Sequence, residues 1–324
     1  MITKLYNYLK ENIKFFITLI ILFIICTFEL PYYINTPGGL LDVKDRVYIS
    51  DSYDISGSLN LAYVTEIKAT IPTLIVSYFN DNWDVLKKED VIASNETKKE
   101  NEYRSKILLT ESQNNAVIVG FNLAGENIEI TNRKLYVTYI DENSITDLKI
   151  GDQIVSINNT KINSKEDALN EIKNSNKFNI EVINNGVKYI RSATKQNDKI
   201  GILISEIKDV KTERDVEFKF KDSESGPSGG FMMALSIYDY LTEEDLTNNL
   251  KIVGTGTIDE EGNVGEIGGV KYKIKAAVKN DTDIFFVPKD NYEEAMEVKN
   301  NNNLDIKLIS VSNITDAINY LKNL

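Results

Sequence analysis

The sequence predicts a multidomain protein of mixed α+β and α/β class that carries a transmembrane helix at its N-terminus. Three observations support this: an apolar run near the start, a β-rich middle with hairpin spacing, and apolar helices alternating with strand-like segments after residue 216. We expect five parts, which are a cytoplasmic N-terminus (1–12), a transmembrane helix (13–34), an extracytoplasmic region (35–117), a β-rich module (118–196) and a C-terminal α/β domain (197–324).

Composition excludes several classes of function. The 324 residues carry a formal net charge of −12, which argues against nucleic acid as a partner because phosphate binding needs a basic surface. The chain has no histidine, which excludes Ser–His and Cys–His catalysis and His-ligated metal sites. The single cysteine, Cys26, lies in the apolar run, where a catalytic thiolate is disfavoured. We therefore expect no metal and no cofactor, and any activated nucleophile needs a base other than histidine.

The apolar run at 15–28 becomes long enough to cross a membrane when it is extended to 13–34. Lys14 lies near one end and Tyr32 and Tyr33 lie at the other, where interfacial side chains are favoured. Lys4 and Lys10 precede the run and predict an N-terminus that stays in the cytoplasm. The alternative is a cleaved signal peptide, but the small-residue cleavage pattern is missing after the run. We therefore expect a single-pass protein of the cytoplasmic membrane that contacts the bilayer through 13–34 and has its catalytic domain outside.

The segment 35–117 has three distinct parts. It is turn-rich at 35–54, strand-like at 59–76, and charged and helical or irregular at 81–111, where 87–111 fits a solvated helix. None of these parts carries a motif that predicts chemistry.

The middle of the chain reads as a small β-rich module. A tight turn at Gly151-Asp152 leads into a strand with Ile154 and Ile157 facing inward. Ser164 then opens a helix, and strands at 178–183 and 187–191 flank a hairpin turn.

This GDxIxxIN run, followed by a helix and a closing hairpin, resembles a PDZ domain over about sixty residues. PDZ domains bind an extended peptide as an added strand beside a helix. The resemblance implies that Leu135, Tyr136 and Val137 form the peptide-binding strand. The preceding loop at 132–135 lacks the usual glycine but offers Arg133 and Lys134 for a terminal carboxylate. The alternative is a module that serves only as a spacer.

Ser228 lies in the turn Gly226-Pro227-Ser228-Gly229-Gly230, directly before an apolar helix. Gly226 and Gly229 allow a substrate backbone to approach closely, and the free N–H groups of a helix start can hold an oxyanion. Ser228 is therefore a candidate nucleophile. The alternative is an ordinary serine N-cap.

A second helix is predicted from about Gly269, with Val270, Ile274 and Ala277 on its apolar stripe. Lys273 lies on this stripe, whereas Lys271 and Lys275 face water. Burial lowers the pKa of a lysine and makes it a candidate base. The alternative is a lysine whose head group reaches solvent along its stem.

Several segments in order resemble the proteolytic domain of the Lon family over about a hundred residues. They are Gly226-Pro227-Ser228-Gly229-Gly230, then Gly254-Thr255-Gly256-Thr257-Ile258, then Gly265 to Lys273 (GEIGGVKYK), Ala276-Ala277 and Phe285-Phe286-Val287-Pro288. The resemblance implies a Ser228–Lys273 catalytic dyad, with Thr255 positioning the lysine amine. The whole chain is similar to bacterial membrane-anchored Lon-like proteases that carry a PDZ domain.

The resemblance implies a serine endopeptidase that cleaves unfolded or PDZ-presented polypeptides outside the cytoplasm and forms a homo-oligomer, a hexamer in Lon-type domains. No GxxxxGK[ST] phosphate loop occurs in the sequence, which favours action without ATP. Two alternatives remain open. One is a non-catalytic anchored scaffold that binds peptides through the PDZ-like module. The other is a peptidase with one dedicated substrate.

Overall fold

A computed structural model describes residues 8–93 and 96–324. The predicted segment 1–12 therefore lies mostly outside the described residues. The described residues form two compact units, a smaller one of residues 8–38 and 64–91 and a larger one of residues 39–63, 92–93 and 96–324.

The described helices are, in chain order, α1 (Ile13–Thr27), α2 (Ile71–Tyr78), α3 (Lys88–Val91), α4 (Lys98–Ala124), α5 (Lys165–Lys173), α6 (Gly230–Leu241), α7 (Val270–Lys279), α8 (Tyr292–Asn301) and α9 (Ile314–Lys322).

The strands of the N-terminal part are β1 (Tyr32–Asp42), β2 (Val47–Ile49), β3 (Ser58–Lys68) and β4 (Asp84–Lys87). The middle strands are β5 (Ile128–Ile140), β6 (Ile145–Thr146), β7 (Gln153–Ile157), β8 (Thr160–Lys161), β9 (Lys177–Asn184), β10 (Val187–Thr194) and β11 (Ile202–Thr212). The C-terminal strands are β12 (Val216–Phe218), β13 (Lys251–Gly254), β14 (Thr257–Ile258), β15 (Val264–Gly265), β16 (Ile284–Pro288) and β17 (Leu308–Val311).

The smaller unit corrects the predicted transmembrane helix over 13–34. Helix α1 ends at Thr27, and Tyr32 to Ile34 already belong to β1, where Tyr32 pairs with Lys87 of β4. Within residues 8–93 and 96–324, no helix combines the length and the apolar character that a membrane crossing requires.

The region 35–117 also differs from its prediction. The expected turns at 35–42 lie inside β1, and the expected strand at 59–76 ends at Lys68. The segment expected as one helix at 87–111 contains the short helix α3 and the first half of α4, which runs on to Ala124. Residues 98–111 of α4 are mostly exposed or half-buried, as predicted, whereas Ala116 to Phe121, beyond the predicted segment, are buried.

In the larger unit, four parallel strands have the order β17-β16-β13-β3. Helices α4 and α6 pack against each other beside this sheet, and Phe231, Ile237 and Phe286 are fully buried in the shared core. A neighbouring core holds Val270, Ile274 and other apolar residues of α7 and β16, so the predicted apolar stripe of α7 is confirmed. The sheet and these helices fix the positions from which the catalytic candidates project.

The sheet module, which we define as β5 to β11 (residues 128–212), has the strand order β11-β5-β7-β9-β10-β6 and its own core. The predicted inward packing of Ile154 and Ile157, the helix after Ser164 and the hairpin of β9 and β10 are all confirmed. Its bounds differ from the predicted 118–196, because position 118 falls inside α4 and the sheet is completed by β11 after residue 196.

Candidate active site

The serine loop, defined as residues 226–229, ends where α6 begins at Gly230. Gly226 has φ of +93°, a left-handed conformation that glycine adopts without strain. The backbone N–H of Gly230 donates to the carbonyl of Pro227 at 3.1 Å, which closes a tight turn around Ser228. The predicted placement of Ser228 just before a helix is confirmed, and its side chain is half-buried.

Lys273 projects from α7 into the protein interior, with 3% of its surface exposed. Lys271 and Lys275 are half-buried, so the prediction that they face water holds only in part, but helical spacing identified the inward-facing lysine correctly. Burial lowers the pKa of the Lys273 ammonium from 10.5 to about 8. A substantial fraction of this side chain is therefore a neutral amine at mildly alkaline pH, as a general base requires.

Thr255 links the two candidates. Its hydroxyl accepts a hydrogen bond from Lys273 Nζ at 2.9 Å and donates one to the carbonyl oxygen of Ser228 at 3.1 Å. The next backbone N–H, that of Gly256, donates to the same Ser228 carbonyl at 2.8 Å. Thr255 is fully buried, so neither of its hydrogen bonds competes with solvent. The structure thus brings together Ser228, Thr255 and Lys273, of which the first and last lie 45 positions apart along the chain.

The predicted peptide-binding strand at Leu135, Tyr136 and Val137 is wrong. These residues lie in the middle of β5, which pairs with β11 on one edge and with β7 on the other, and Leu135 and Val137 are fully buried. A peptide can add a strand only at a free edge.

The expected carboxylate-binding charges are also engaged elsewhere. Arg133 donates to Glu206 at 2.6 Å, and the amine of Lys134 lies 3.4 Å from a carboxylate oxygen of Asp209. Both lie within the continuous strand β5 rather than in a loop.

A different groove lies on the sheet module, between α5 and β11. We call it the edge groove. It has a volume of about 830 Å³, and its walls include Leu169 and Ile172 of α5 and Ile202, Leu203 and Ile204 of β11. Leu169 and Leu203 are 60% and 62% exposed, so the groove presents apolar side chains to solvent.

Strand β11 is the end strand of this sheet, so one of its edges pairs with no strand among residues 8–93 and 96–324. Further along β11, side chains of α4 accept from that edge: Glu111 from the N–H of Glu206 and Asn114 from the N–H of Lys208, both at 2.8 Å. Successive residues of a strand point their backbone N–H and C=O groups to alternate edges. The backbone groups of Ile202 and Ile204 therefore point to the same edge as those of Glu206 and Lys208, inside the groove.

Two residues that hold the site were missed by the sequence prediction. Ser112 Oγ donates to the carbonyl of Pro227 at 3.1 Å, and Asn115 Nδ2 donates to the carbonyl of Ile258 at 3.0 Å. Their spacing could have identified them, because the two polar residues lie three positions apart just before the apolar stretch 116–121 of α4. Residues at this spacing share one face of a helix, and that face turns toward the core.

Comparison with known proteins adds an independent finding. Residues 141–322 match the family described as the Lon protease (S16) C-terminal proteolytic domain.

Individual relatives match a shorter segment. The Lon protease of Aster yellows witches'-broom phytoplasma (strain AYWB) is 31% identical over 96 residues, and that of Azospirillum brasilense is 33% identical over 95 residues. These alignments cover 30% and 29% of this chain and 12% of each relative. Lon protease 2 of Borreliella burgdorferi is 31% identical over 120 residues, which is 35% of this chain and 14% of that protein. The matched segment is thus a small part of each relative's length.

Proposed function

The chain belongs to the Lon protease (S16) C-terminal proteolytic domain family and carries a serine endopeptidase domain of that family. On this premise we propose that it cleaves polypeptides with Ser228 as the nucleophile and Lys273 as the general base. The observation that carries the assignment is the buried Lys273, whose amine donates to Thr255 while Thr255 bonds to the Ser228 carbonyl.

The proposed reaction follows from these contacts. The neutral amine of Lys273 takes the proton of the Ser228 hydroxyl as the serine oxygen attacks the scissile carbonyl. The backbone N–H groups of Ser228 and Gly229, at the start of α6, receive the oxyanion. Lys273, now an ammonium, returns the proton to the leaving amine, and water then hydrolyses the acyl-enzyme by the same route. Thr255 keeps the amine aimed along this path, because its other hydrogen bond ties it to the residue that attacks.

The test measures cleavage of an unfolded protein, such as reduced and alkylated casein, by the wild type, Ser228→Ala and Lys273→Ala. We expect no measurable cleavage by either variant, and a serine-reactive phosphonate should label the wild type but not Ser228→Ala. Thr110→Ala, which removes a hydroxyl bonded only within α4, serves as the matched control. Equal cleavage by all four proteins would overturn the assignment.

We also propose that this cleavage needs no ATP, since the sequence contains no phosphate-binding loop motif. The same casein assay with and without ATP and magnesium tests this. A strict requirement for ATP would contradict it. Assembly into a homo-oligomer remains a prediction, which sedimentation of the purified chain tests.

The edge groove is the proposed recruiting site for polypeptide substrates, in the manner of a PDZ domain. Its support is the open edge of β11 at Ile202 and Ile204 together with the exposed apolar side chains of Leu169 and Leu203. An extended peptide can add a strand there and place alternate side chains against α5.

Leu169→Asp is expected to raise the KM for long substrates several-fold and to leave cleavage of a six-residue peptide unchanged. Ile190→Asp provides the matched control, because Ile190 is an exposed apolar residue on β10, outside the groove lining. An unchanged KM for long substrates in Leu169→Asp would exclude the groove as the recruiting site.

Association with a membrane is proposed from the character of α1, and a catalytic unit outside the cytoplasm remains a prediction. Its large apolar side chains, from Ile13 to Ile25, are mostly exposed on every side of the helix. Helices of this kind need an apolar environment, which either a protein core or lipid provides. Fractionation with a carbonate wash, and protease protection in spheroplasts, would test both statements. A chain recovered wholly in the soluble fraction would contradict the first.

A further inference from the structure

Helix α4 borders the serine loop over two of its turns. Ser112, which is 3% exposed, donates to the carbonyl of Pro227, the residue directly before Ser228. Asn115, three residues on and 8% exposed, donates to the carbonyl of Ile258, at the end of β14. One face of α4 therefore holds both the serine loop and the strand that follows Thr255.

The contact between α4 and the start of α6 leaves no spare room. A Cβ atom added at Gly230 would lie 2.3 Å from Ser112 Oγ and 2.8 Å from Ile258 Cγ2. Such distances are shorter than van der Waals contact, so α4, α6 and β14 meet at a point where only glycine fits. A small shift of α4 would therefore displace the serine loop, because the packed neighbours cannot absorb it.

The adjoining face of α4 is attached to the sheet module. Lys208 of β11 is 4% exposed, and its amine donates to Asn115 Oδ1 at 3.1 Å while its backbone N–H donates to Asn114 Oδ1. Glu111 accepts from the backbone N–H of Glu206. The side chain of Asn115 thus joins Lys208 on one side to the Ile258 carbonyl on the other.

Charge reinforces this attachment. The Lys208 amine lies 2.5 Å from a carboxylate oxygen of Glu260, in the turn after β14, and 3.7 Å from Glu206, which also pairs with Arg133. Charges in such a buried cluster hold their neighbours in a fixed geometry, because separating them would leave an uncompensated charge in the interior.

The edge groove meets the same helix. Glu111 Oε1, which accepts from β11, also accepts from the amine of Lys165 at 2.8 Å, and Lys165 begins α5 and lines the groove. Both walls of the groove are therefore hydrogen-bonded to Glu111, which directly precedes Ser112 in the chain.

From these contacts we infer that α4 is a positioning element, which links the sheet module to the serine loop and fixes the position of that loop. Ser112 and Asn115 are the positioning residues, and Lys208 holds the side chain of Asn115 in place. The inference rests on the proposed peptidase function of Ser228. The two positioning side chains act on the backbone around the nucleophile, and neither touches the reacting atoms. Their loss should lower kcat while the KM for a short peptide and the pH dependence set by Lys273 stay the same.

The test uses a six-residue fluorogenic peptide and the full chain. We expect Ser112→Ala to lower kcat about 10-fold, as expected for an interaction made mainly in the transition state, with KM within about twofold of the wild type. The rising limb of the pH profile, which Lys273 sets, should not change. The rate of labelling by a serine-reactive phosphonate should fall in parallel. Thr110→Ala, on the same helix, should match the wild type in every measurement.

Coupling to the sheet module is tested with Lys208→Met. We expect it to lower kcat as well, and the double variant with Ser112→Ala should lose much less than the product of the two single losses, because both act through α4. Should Lys208→Met fail to fold, Asn115→Asp takes its place, since it keeps the acceptor for Lys208 and loses the donor to Ile258.

The outcomes separate this inference from the function on which it rests. An inert, unlabelled wild type would overturn the peptidase assignment and the inference with it. An active wild type whose Ser112→Ala variant retains its kcat, or singles whose losses multiply in the double variant, would overturn the inference alone.

Discussion

Lys273 meets two opposing requirements at the scale of a single residue. Its burial supplies the neutral amine that the proposed reaction needs, yet the same burial disfavours the charged form that the side chain adopts in water. The shift of its pKa from 10.5 to about 8 corresponds to about 3 kcal/mol of unfavourable free energy at neutral pH. The burial of Lys273 therefore lowers the free energy of unfolding at neutral pH.

We expect Lys273→Met to abolish cleavage and to increase stability at pH 7, because a buried ammonium is replaced by an apolar chain of similar length. In the wild type, the native state binds fewer protons than the unfolded state between pH of about 8 and 10.5, so this residue makes stability rise with pH across that window. Urea unfolding at pH 7 and pH 10 measures both effects. Lys279→Met, on the exposed end of α7, is the control, and an equal pH dependence in the two variants would contradict the account.

The pH profile of activity gives a second test of the same residue. We expect kcat/KM to rise with pH through about 8, as Lys273 loses its proton. Thr255→Val removes an acceptor that favours the ammonium, so the rise should move to lower pH, and kcat should fall because the amine is no longer oriented. Thr255→Ser retains the oxygen and should keep the wild-type profile. A Thr255→Val profile that coincides with the wild type would argue against this hydrogen bond.

At the scale of elements, the close approach of α4 and α6 determines the local architecture. The two helices meet at Gly120, where an added Cβ would lie 2.5 Å from Ile237 Cγ2 and 3.2 Å from the carbonyl of Ala234. The serine loop precedes α6, so the spacing of these helices also sets where Ser228 lies.

We expect Gly120→Ala to lower the Tm by several degrees. Alanine favours a helix over glycine by up to about 1 kcal/mol, but overpacking of a close helix contact costs about 1–3 kcal/mol. The clash therefore outweighs the gain in helix propensity. Calorimetry would measure the change, with Asn122→Ala on the exposed face of α4 as the control. An increase in Tm would contradict this account, because it would mean that the two helices accommodate the added methyl group without loss of stability.

At the scale of the whole molecule, buried ionisable groups combine to set how stability varies with pH. Asp239, at 1% exposure, accepts from the N–H of Leu246 at 2.9 Å, and burial raises the pKa of its carboxyl to about 7. Its native state binds more protons than the unfolded state between pH of about 4 and 7, so stability falls as pH rises through this window. Lys273 acts in the opposite direction above pH 8.

Asp239→Asn is expected to remove most of the decline in stability between pH 5 and pH 8. Its amide oxygen can still accept from Leu246, and it has no charge to lose or gain. Urea midpoints at the two pH values, compared with those of the exposed substitution Asp305→Asn, supply the measurement. An unchanged decline in Asp239→Asn would assign the pH dependence to other groups.

Local sequence patterns predicted the elements around the site well. The turn at 226–230, the helix that follows, the choice of Lys273 among three lysines and the hairpin of β9 and β10 all depend on spacings within about ten residues. Predictions that needed distant pairing failed. Assigning the peptide strand to β5 required knowledge of which strand ends the sheet, and the length of α1 depends on the pairing of Tyr32 with Lys87.

The sequence by itself determined the chemistry that is available to this protein. A chain without histidine offers few bases, and helical periodicity alone turns Lys273 inward. Only the tertiary structure decided how that chemistry is held. Thr255 bridges Lys273 to Ser228, and α4 ties the serine loop to the sheet module, through contacts between residues far apart in the chain. Such contacts arise from the packing of preformed elements, which no local pattern of side chains encodes.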